Sequence, residues 1–223
     1  MDSQIPEQGA ARGSGPRPGA SRHSRRSDGE RSYRAIMDAA TRLATERGLD
    51  GLSISELAAA TGMSKGGLYA HFGSKEELQL ATVAVAADVM DTQVIKPALL
   101  LPEPIARLRA LCENFLTYAQ HTYSGGCFFA SVSSEFDTRP GAVRDRIVEL
   151  HTAWMRLLAD LIEGAREAGQ LDTRGKEPAQ LAFELDSLLH LANDSYVLHQ
   201  DAEQFRYARR GVAWLLEQHT PDH

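Results

Sequence analysis

Apolar residues recur at every third or fourth position along most of the chain, a period that predicts amphipathic helices. The first stripe predicts a helix over residues 31–47, and two short helices are expected at 53–60 and 64–72. A longer helix should begin at residue 74 and end by Pro97, because proline cannot continue the helical hydrogen-bond pattern. The apolar positions of the first stripe are Tyr33, Ile36, Met37, Ala40, Leu43 and Ala44.

The second part of the chain predicts a larger helical domain. Helices are expected near 105–119 and 127–137, and the clearest apolar stripe runs for about six turns over 141–165. Two final helices are expected near 177–198 and 202–219. No segment alternates with a period of two for long enough to predict a sheet, so the expected fold is all-α.

Residues 53–72 combine helix-capping signals with a tight turn. Ser53 and Glu56 form a capping-box pattern, and Ser64 is a second capping residue. Gly62 lies between them and can take the left-handed conformation that a turn requires. Two short capped helices joined by such a turn are typical of a helix-turn-helix, whose second helix enters the DNA major groove.

The second of these helices has a buried side and an outward side. Leu68 and Phe72 lie one turn apart and are expected to pack on the preceding helices. Lys65 can donate to guanine or phosphate, and a tyrosine can contact phosphate or a thymine methyl. Two adjacent glycines each cost about 1 kcal/mol relative to alanine in a helix, which predicts a close approach of backbone to DNA. The candidate DNA-binding residues are Ser53, Ser64, Lys65, Gly66, Tyr69, His71 and Lys75.

Composition and charge narrow the class of protein. The chain has 223 residues, of which 43% are hydrophobic, and its net charge of -6 argues against indiscriminate coating of nucleic acid. Residues 1–30 contain five arginines, all between Arg12 and Arg26, and are rich in Gly, Pro and Ser. This predicts a basic arm that is disordered before any binding. Cys112 and Cys127 lack metal-site spacing and are expected to be buried free thiols.

The segment Ser64–Leu78, SKGGLYAHFGSKEEL, preceded by LAAATG, resembles the DNA-binding signature of TetR/AcrR-type transcriptional regulators. The stretch Gly125–Gly141, GGCFFASVSSEFDTRPG, is similar to the C-terminal domains of one subset of that family. The resemblance implies a three-helix DNA-binding domain over 31–78 and a ligand-binding and dimerisation domain over 79–223. It also implies a homodimer that binds a palindromic operator, usually as a repressor, and that a small molecule releases.

By the same resemblance, Lys65, Gly66 and Tyr69 match contacts to bases or the groove. Ser64, His71 and Lys75 match phosphate contacts, and dimerisation is assigned to the last two helices. The candidate ligand-binding residues are the aromatic side chains Phe115, Tyr118, Phe129 and Trp154, although aromatics at helical spacing, like Phe183, more often belong to a core.

Other classes remain open at this stage. An all-α enzyme using Glu or His residues of the C-terminal domain is one alternative, and a sequence-indifferent DNA-architectural protein is another. The histidines His121, His151, His190 and His199 form no i, i+4 pair, so neither a metal site nor a cofactor is expected. We expect a cytoplasmic protein without a membrane span, because no uncharged apolar run approaches the necessary length.

Overall fold

The computed structural model describes the backbone of residues 20–221 and the side chains of residues 28–221, and all regular structure in that range is helical. The N-terminal helices are α1 (Ala20–Arg47), α2 (Ile54–Thr61), α3 (Lys65–Tyr69) and α4 (Lys75–Met90). A π-helical turn, Asp91–Ile95, leads to α5 (Lys96–Leu99) and α6 (Pro104–His121). The remaining helices are α7 (Phe128–Phe136), α8 (Ala142–Glu167), α9 (Pro178–His199) and α10 (Glu203–Glu217).

Helix α1 begins at Ala20, earlier than the start at residue 31 that the apolar stripe predicts. No proline follows Pro18 in this region, and most residues from Ala20 to residue 30 are compatible with a helix. The apolar stripe begins only after them, so it predicts a later start. The structure therefore differs from the expected arm over residues 20–30, which it places in α1. Residues 1–19 of that arm lie outside the described residues.

The capping signals form as the sequence predicts, with small differences in their partners. The Ser53 hydroxyl accepts from the backbone N–H of Glu56 at 3.2 Å and donates to the Glu56 carboxylate at 3.0 Å. Gly62 has φ 67°, in the left-handed region. The Ser64 hydroxyl accepts from the N–H of Gly67 at 3.1 Å. Helix α3 is shorter than the predicted 64–72, because Ala70 and His71 form a turn rather than a further helical turn.

The helical run does not end at Pro97 as predicted, but continues to Leu99. The π-helical turn precedes it, and Pro97 falls in the first turn of α5, where its missing N–H needs no helical partner. Within the described range, residues 75–99 are the one run long and apolar enough to span a membrane. Val83 and Val94 in this run are fully buried in the protein's own hydrophobic clusters, which accounts for its apolar character.

Two hydrophobic clusters hold the fold together. The first contains Met37, Leu57 and Leu68 from the helix-turn-helix region together with Phe128 and Val132 of α7. The second lies among α6, α8, α9 and α10. Helix α4 and the run that follows it contribute to both clusters. The helix-turn-helix and α7 therefore share one hydrophobic cluster.

Two aromatic side chains expected in stripes lie outside the cores. Tyr33 is exposed on α1, and Phe183 on α9 is 62% exposed. Helical spacing places Phe183 on the same side of α9 as the exposed Leu191 and Leu198. The exposed Tyr207 and Trp214 lie two turns apart on α10. The last two helices thus carry a second apolar face in addition to the one buried in the core.

Candidate DNA-binding surface and effector cavity

Helix α3 presents its polar groups outward from buried anchors. Leu68 is fully buried and Phe72 nearly so, which fixes the helix on the first cluster. Tyr69 is 62% exposed, and Lys65 and Gly66 are exposed as well. The side chain of Tyr69, the Lys65 ammonium group and the backbone at Gly66 are therefore open to solvent, as a helix that binds in a groove requires.

Gly66 has open space at the position that a side chain would occupy. A Cβ built there meets no atom of the protein within 4 Å, and its φ is not in the left-handed region. A Cβ on Gly67 lies 3.4 Å from the Ser64 hydroxyl, in ordinary contact. The fold itself therefore does not require glycine at position 66.

The predicted phosphate-contacting residues differ in their surroundings. The Ser53 and Ser64 hydroxyls already serve as helix caps, although a capping oxygen can also meet a phosphate at a helix start. The His71 ring is half-buried and tilted against Phe72, with 6.2 Å between centroids. Lys75 Nζ lies 2.9 Å from Asp50 Oδ1. A phosphate contact by Lys75 would therefore compete with an ion pair.

Asp50 also links the DNA-binding domain to the loop after α7. Its second carboxylate oxygen lies 2.7 Å from the Arg139 guanidinium. Hydrogen bonds from Lys75 and Arg139 lower the pKa of Asp50. The two cations are more than half exposed, so solvent screens this cluster and it orients the loop rather than contributing much stability.

Helix α7 holds the α1–α2 loop through Glu135. Its carboxylate accepts from the backbone N–H groups of Leu49 and Asp50 at 3.1 and 3.0 Å. A Cβ on Gly48, whose φ is 85°, would lie 2.5 Å from the same carboxylate, so the glycine permits this approach. Leu49 is fully buried. One side chain of the C-terminal domain thus fixes the loop that precedes the helix-turn-helix.

The start of α7 is fixed on two other helices. A Cβ on Gly125 would lie 2.0 Å from the Thr45 carbonyl oxygen, so only glycine allows this segment to lie on α1. The backbone N–H of Cys127 donates to Asn193 Oδ1 of α9 at 2.7 Å. Any displacement of α7 must therefore alter contacts with the DNA-binding domain.

A cavity of about 270 Å³ opens among α4, α6, α7, α8 and α9. Three of the four candidate ligand-binding residues, Phe115, Phe129 and Trp154, line it. Tyr118 does not: its side chain is buried, and the Tyr123 ring stands edge-on to it with 6.1 Å between centroids. Ser133 of α7 also lines the cavity, two residues before Glu135. One helix therefore borders both the cavity and the DNA-binding domain.

One wall of the cavity carries a partly buried hydrogen-bonded group of three side chains. Asp186 Oδ1 accepts from the Trp154 indole N–H at 2.7 Å and lies 3.0 Å from His190 Nδ1. Burial acts to raise the pKa of Asp186, but the bonds from His190 and Trp154 outweigh it and the pKa is lowered. Burial likewise acts to lower the pKa of His190, but Asp186 outweighs it and the pKa is raised. The geometry and charges favour an imidazolium–carboxylate pair.

The nucleophile-type groups at the cavity are not activated. Burial raises the pKa of Cys127 to about 11, which keeps it a thiol, and the Ser133 hydroxyl donates to the Phe129 carbonyl at 2.6 Å. Both Cys112 and Cys127 are buried and free. Among the described side chains, no group of three or more His, Cys, Asp or Glu is arranged to hold a metal ion.

Sequence reasoning missed Asp186, His190 and Glu135. The spacing of Asp186 and His190, four residues apart on a predicted helix, was a usable signal, since such pairs face each other. The histidine had been weighed only as a metal ligand. Glu135 carried no local signal, because its partners are 86 and 85 residues away.

Comparison with known proteins agrees with this arrangement. Residues 36–82 match the family model for bacterial regulatory proteins of the tetR family, and residues 104–212 match the tetracycline-repressor-like C-terminal domain. The HTH-type transcriptional activator FasR of Mycolicibacterium smegmatis is 27% identical over 169 residues, 75% of each chain.

Solved structures share the fold over nearly their whole length. A TetR regulator from Chloroflexus aurantiacus superposes with a TM-score of 0.76 at 23% identity, covering 87% of this chain and 98% of that one. AibR in complex with isovaleryl coenzyme A and operator DNA superposes with a TM-score of 0.66 at 25% identity, covering 83% of this chain and 97% of that one. The two family models match the helix-turn-helix region and the helical domain that follows it, and the fold agrees with solved TetR regulators. This chain is therefore a DNA-binding transcriptional regulator of the TetR family.

Proposed function

We propose that the protein represses transcription by binding a palindromic operator as a homodimer, and that a small molecule in the cavity releases it. The observation that carries this proposal is the exposed face of α3, where Tyr69 and Lys65 flank a glycine backbone with open space beside it. Each group on this face matches a contact that major-groove recognition needs. A DNA partner also places the protein in the cytoplasm.

The exposed apolar side chains of α9 and α10 support the homodimer. Five large ones are exposed on these two helices, and exposed apolar patches mark interaction sites. A second copy of the same face is the occupant we propose, because two recognition helices about 34–36 Å apart would read two half-sites. The exposed residues are Phe183, Leu191, Leu198, Tyr207 and Trp214.

Release is proposed to act through α7. A ligand against Phe129 and Ser133 would favour the position of α7 that accommodates it, and Glu135 would carry the change to the α1–α2 loop. The ligand can shift the equilibrium only by its difference in affinity between the two positions. The solved complex of AibR with isovaleryl coenzyme A and operator DNA supports a small molecule and operator DNA as the two partners of this chain.

The enzyme alternative is not favoured by the groups at the cavity. Its serine donates to a backbone carbonyl, and its cysteine thiol is held protonated. Catalysis by an activated nucleophile would require a lowered pKa or an adjacent base within hydrogen-bond reach. We propose that the cavity binds its ligand without turnover, which incubation of protein with a bound ligand and analysis of the mixture would test.

Selection of DNA from a random pool followed by gel shift tests the proposal. We expect a palindromic site, one dimer per site and a fall of log affinity with log salt that corresponds to about 6–10 neutralised phosphates. Binding indifferent to sequence would support the architectural alternative instead. Light scattering that finds a monomer at micromolar concentration would contradict the dimer.

A reporter gene placed behind the selected site tests the direction of control. Repression predicts lower expression when the regulator is present and recovery when the ligand is added. An increase in expression would show an activator, which is what the name of the relative FasR states of that protein. Variants without the Tyr69 side chain serve as the control, since they should change expression in neither direction.

A further inference from the structure

The wall of the cavity is largely apolar and aromatic, and its polar side chains include His190, His151 and Ser133. The Phe115 ring lies 5.6 Å from that of Trp154 and 5.5 Å from that of His190, measured between centroids. His190 is therefore placed beside the aromatic surface on which a ligand would lie. His151 of α8 also lines the cavity but is exposed at its rim.

The two ring nitrogens of His190 have different surroundings. Nδ1 lies within hydrogen-bond distance of both the carboxylate and the backbone carbonyl oxygen of Asp186, at 3.0 and 3.2 Å. Nδ1 therefore carries a proton and donates to Asp186. Nε2 has no hydrogen-bond partner among the described residues, so it is the nitrogen left to face a ligand. In the imidazolium form, Nε2 also donates.

We propose that the effector is a compact, largely apolar monocarboxylic acid whose carboxylate accepts a hydrogen bond from Nε2 of His190. Its apolar part would lie against Phe115, Phe129 and Trp154. This inference rests on the function proposed above and specifies its ligand. The reason is that a charge-assisted hydrogen bond is about twice as strong as a neutral one, so a carboxylate is the preferred acceptor for this donor beside an aromatic wall.

The charges and the volume restrict the ligand further. Asp186 already pairs with the His190 imidazolium, so the site carries no surplus of positive charge for a second carboxylate, and a monoanion is favoured over a dianion. A cavity of about 270 Å³ is near the lower end of ligand pockets, which are about 300–1,000 Å³, so the acid itself should fill it.

Calorimetric titration of the full-length protein with matched probes tests the proposal. The probes are hydrocinnamate, the alcohol of the same skeleton and the corresponding coenzyme A thioester. Hydrocinnamate should bind about tenfold more tightly than the alcohol, the effect of roughly one charge-assisted bond. Equal affinities for acid and alcohol, or a preference for the thioester, would overturn the carboxylate assignment.

Two variants identify the residue responsible. His190→Gln keeps a hydrogen-bond donor but removes the charge. It should reduce the preference for hydrocinnamate over the alcohol to about twofold or less. His151→Gln is the matched control, because it removes the other imidazole of the same cavity and should keep most of the preference. Loss of the preference in His151→Gln alone would show that the carboxylate binds at the rim. Circular dichroism of each variant checks that it folds.

The pH profile of the unaltered protein gives a reading that does not depend on a variant folding. Affinity for hydrocinnamate should fall as pH rises through the raised pKa of His190, while affinity for the alcohol should not. The titratable groups around His190 are Asp186 and Asp194 on α9, His151 on α8 and the thiols of Cys112 and Cys127. The thiols stay protonated across the pH range of the titration. The same pH profile measured on His151→Gln shows the effect of His190 without a second imidazole in the cavity.

Gel shift in the presence of the probe separates this inference from the proposed function. Binding of the acid without release of DNA would contradict ligand control but leave the acid site intact. Specific DNA binding together with no preference for the acid would contradict only the ligand assignment. Both experiments use the same protein preparation and the operator selected above.

Discussion

The face of α3 and the wall of the cavity are built in opposite ways. On α3 the candidate contacts are exposed and make no use of the core, whereas Phe115 and Trp154 in the cavity are core residues as well as candidate contacts. A surface site can therefore be altered without loss of stability, but a cavity residue cannot. This difference predicts which measurement, binding or unfolding, responds to each substitution.

The largest effect is expected when both contacts of α3 are removed. Lys65→Ala with Tyr69→Ala deletes four contacts in a dimer, each of about 1–3 kcal/mol, so specific DNA binding should be abolished. The free energy of unfolding should change by less than about 0.5 kcal/mol, because both side chains are exposed. Gel shift and urea unfolding measure the two quantities. Retained affinity for the operator would place the DNA-binding surface elsewhere.

The converse result is expected in the cavity. Phe115→Ala removes a side chain that is 1% exposed, and such substitutions cost about 3–5 kcal/mol of unfolding free energy. Operator affinity should stay unchanged at temperatures where the variant is folded. Urea unfolding followed by gel shift checks both points. A loss of affinity in the folded variant would mean that the cavity and α3 are not separable as described.

The helix-turn-helix was predictable in detail because its signals are local. Ser53, Gly62 and Ser64 act through residues no more than three positions away, so their chemistry can be read directly. The outward face of α3 followed from helical spacing around Leu68. Residues of the cavity and of α7 meet through long-range packing, and Glu135 contacts a loop more than 80 residues away. No local pattern encodes such a pairing.

Boundaries show the same division. Pro97 predicts a helix end, but it falls in the first turn of α5, and the helical run continues through the π-helical turn to Leu99. Asn114 of α6 donates to the Val94 carbonyl at 3.1 Å and so satisfies an oxygen of that turn. Phe183 has the helical spacing of a core residue, yet it is 62% exposed, because spacing alone does not show which side of α9 is buried.

Glu135 offers a way to disconnect the two regions. Glu135→Ala removes two charge-assisted bonds to backbone N–H groups and should lower the unfolding free energy by about 1–3 kcal/mol. In a gel-shift titration, the concentration of ligand needed for release should rise, while ligand affinity stays the same. Glu149→Ala is the control, since Glu149 bonds only to the nearby Arg146. Normal release in Glu135→Ala would exclude this route.

The pair His190 and Asp186 predicts a pH-dependent part of the stability. The raised pKa of His190 contributes stability that is present below its unfolded value of 6.5 and is lost as pH rises through the folded pKa. Asp186, with a lowered pKa, contributes stability above 3.8 that is lost as pH falls through its folded pKa. The unfolding free energies of His190→Gln and of the unaltered protein should therefore differ most between pH 3.8 and pH 6.5.

Urea unfolding at a series of pH values measures that difference. The difference in unfolding free energy should be about 1.5–3 kcal/mol in this pH window, as expected for a hydrogen bond to a charged group, and should narrow toward alkaline pH. His199→Gln, an exposed histidine on the same helix, is the control and should show no gap. A gap that is constant with pH would mean that the side chain contributes by packing against Phe115 alone.

Gly66 gives the smallest effect and the sharpest contrast between binding and stability. Gly66→Ala places a methyl group in space with no protein atom within 4 Å and should raise the unfolding free energy by about 0.5–1 kcal/mol, because alanine is the better helix former. The same methyl group would lie between α3 and DNA, so operator affinity should fall. Gly164→Ala in α8 is the matched control, since its Cβ would only touch Pro104 at 3.7 Å and affinity should not change. A glycine retained for close contact predicts a variant that is more stable but binds the operator more weakly. A Gly66→Ala variant that is more stable and binds the operator with unchanged affinity would therefore show that the backbone of α3 does not approach the groove.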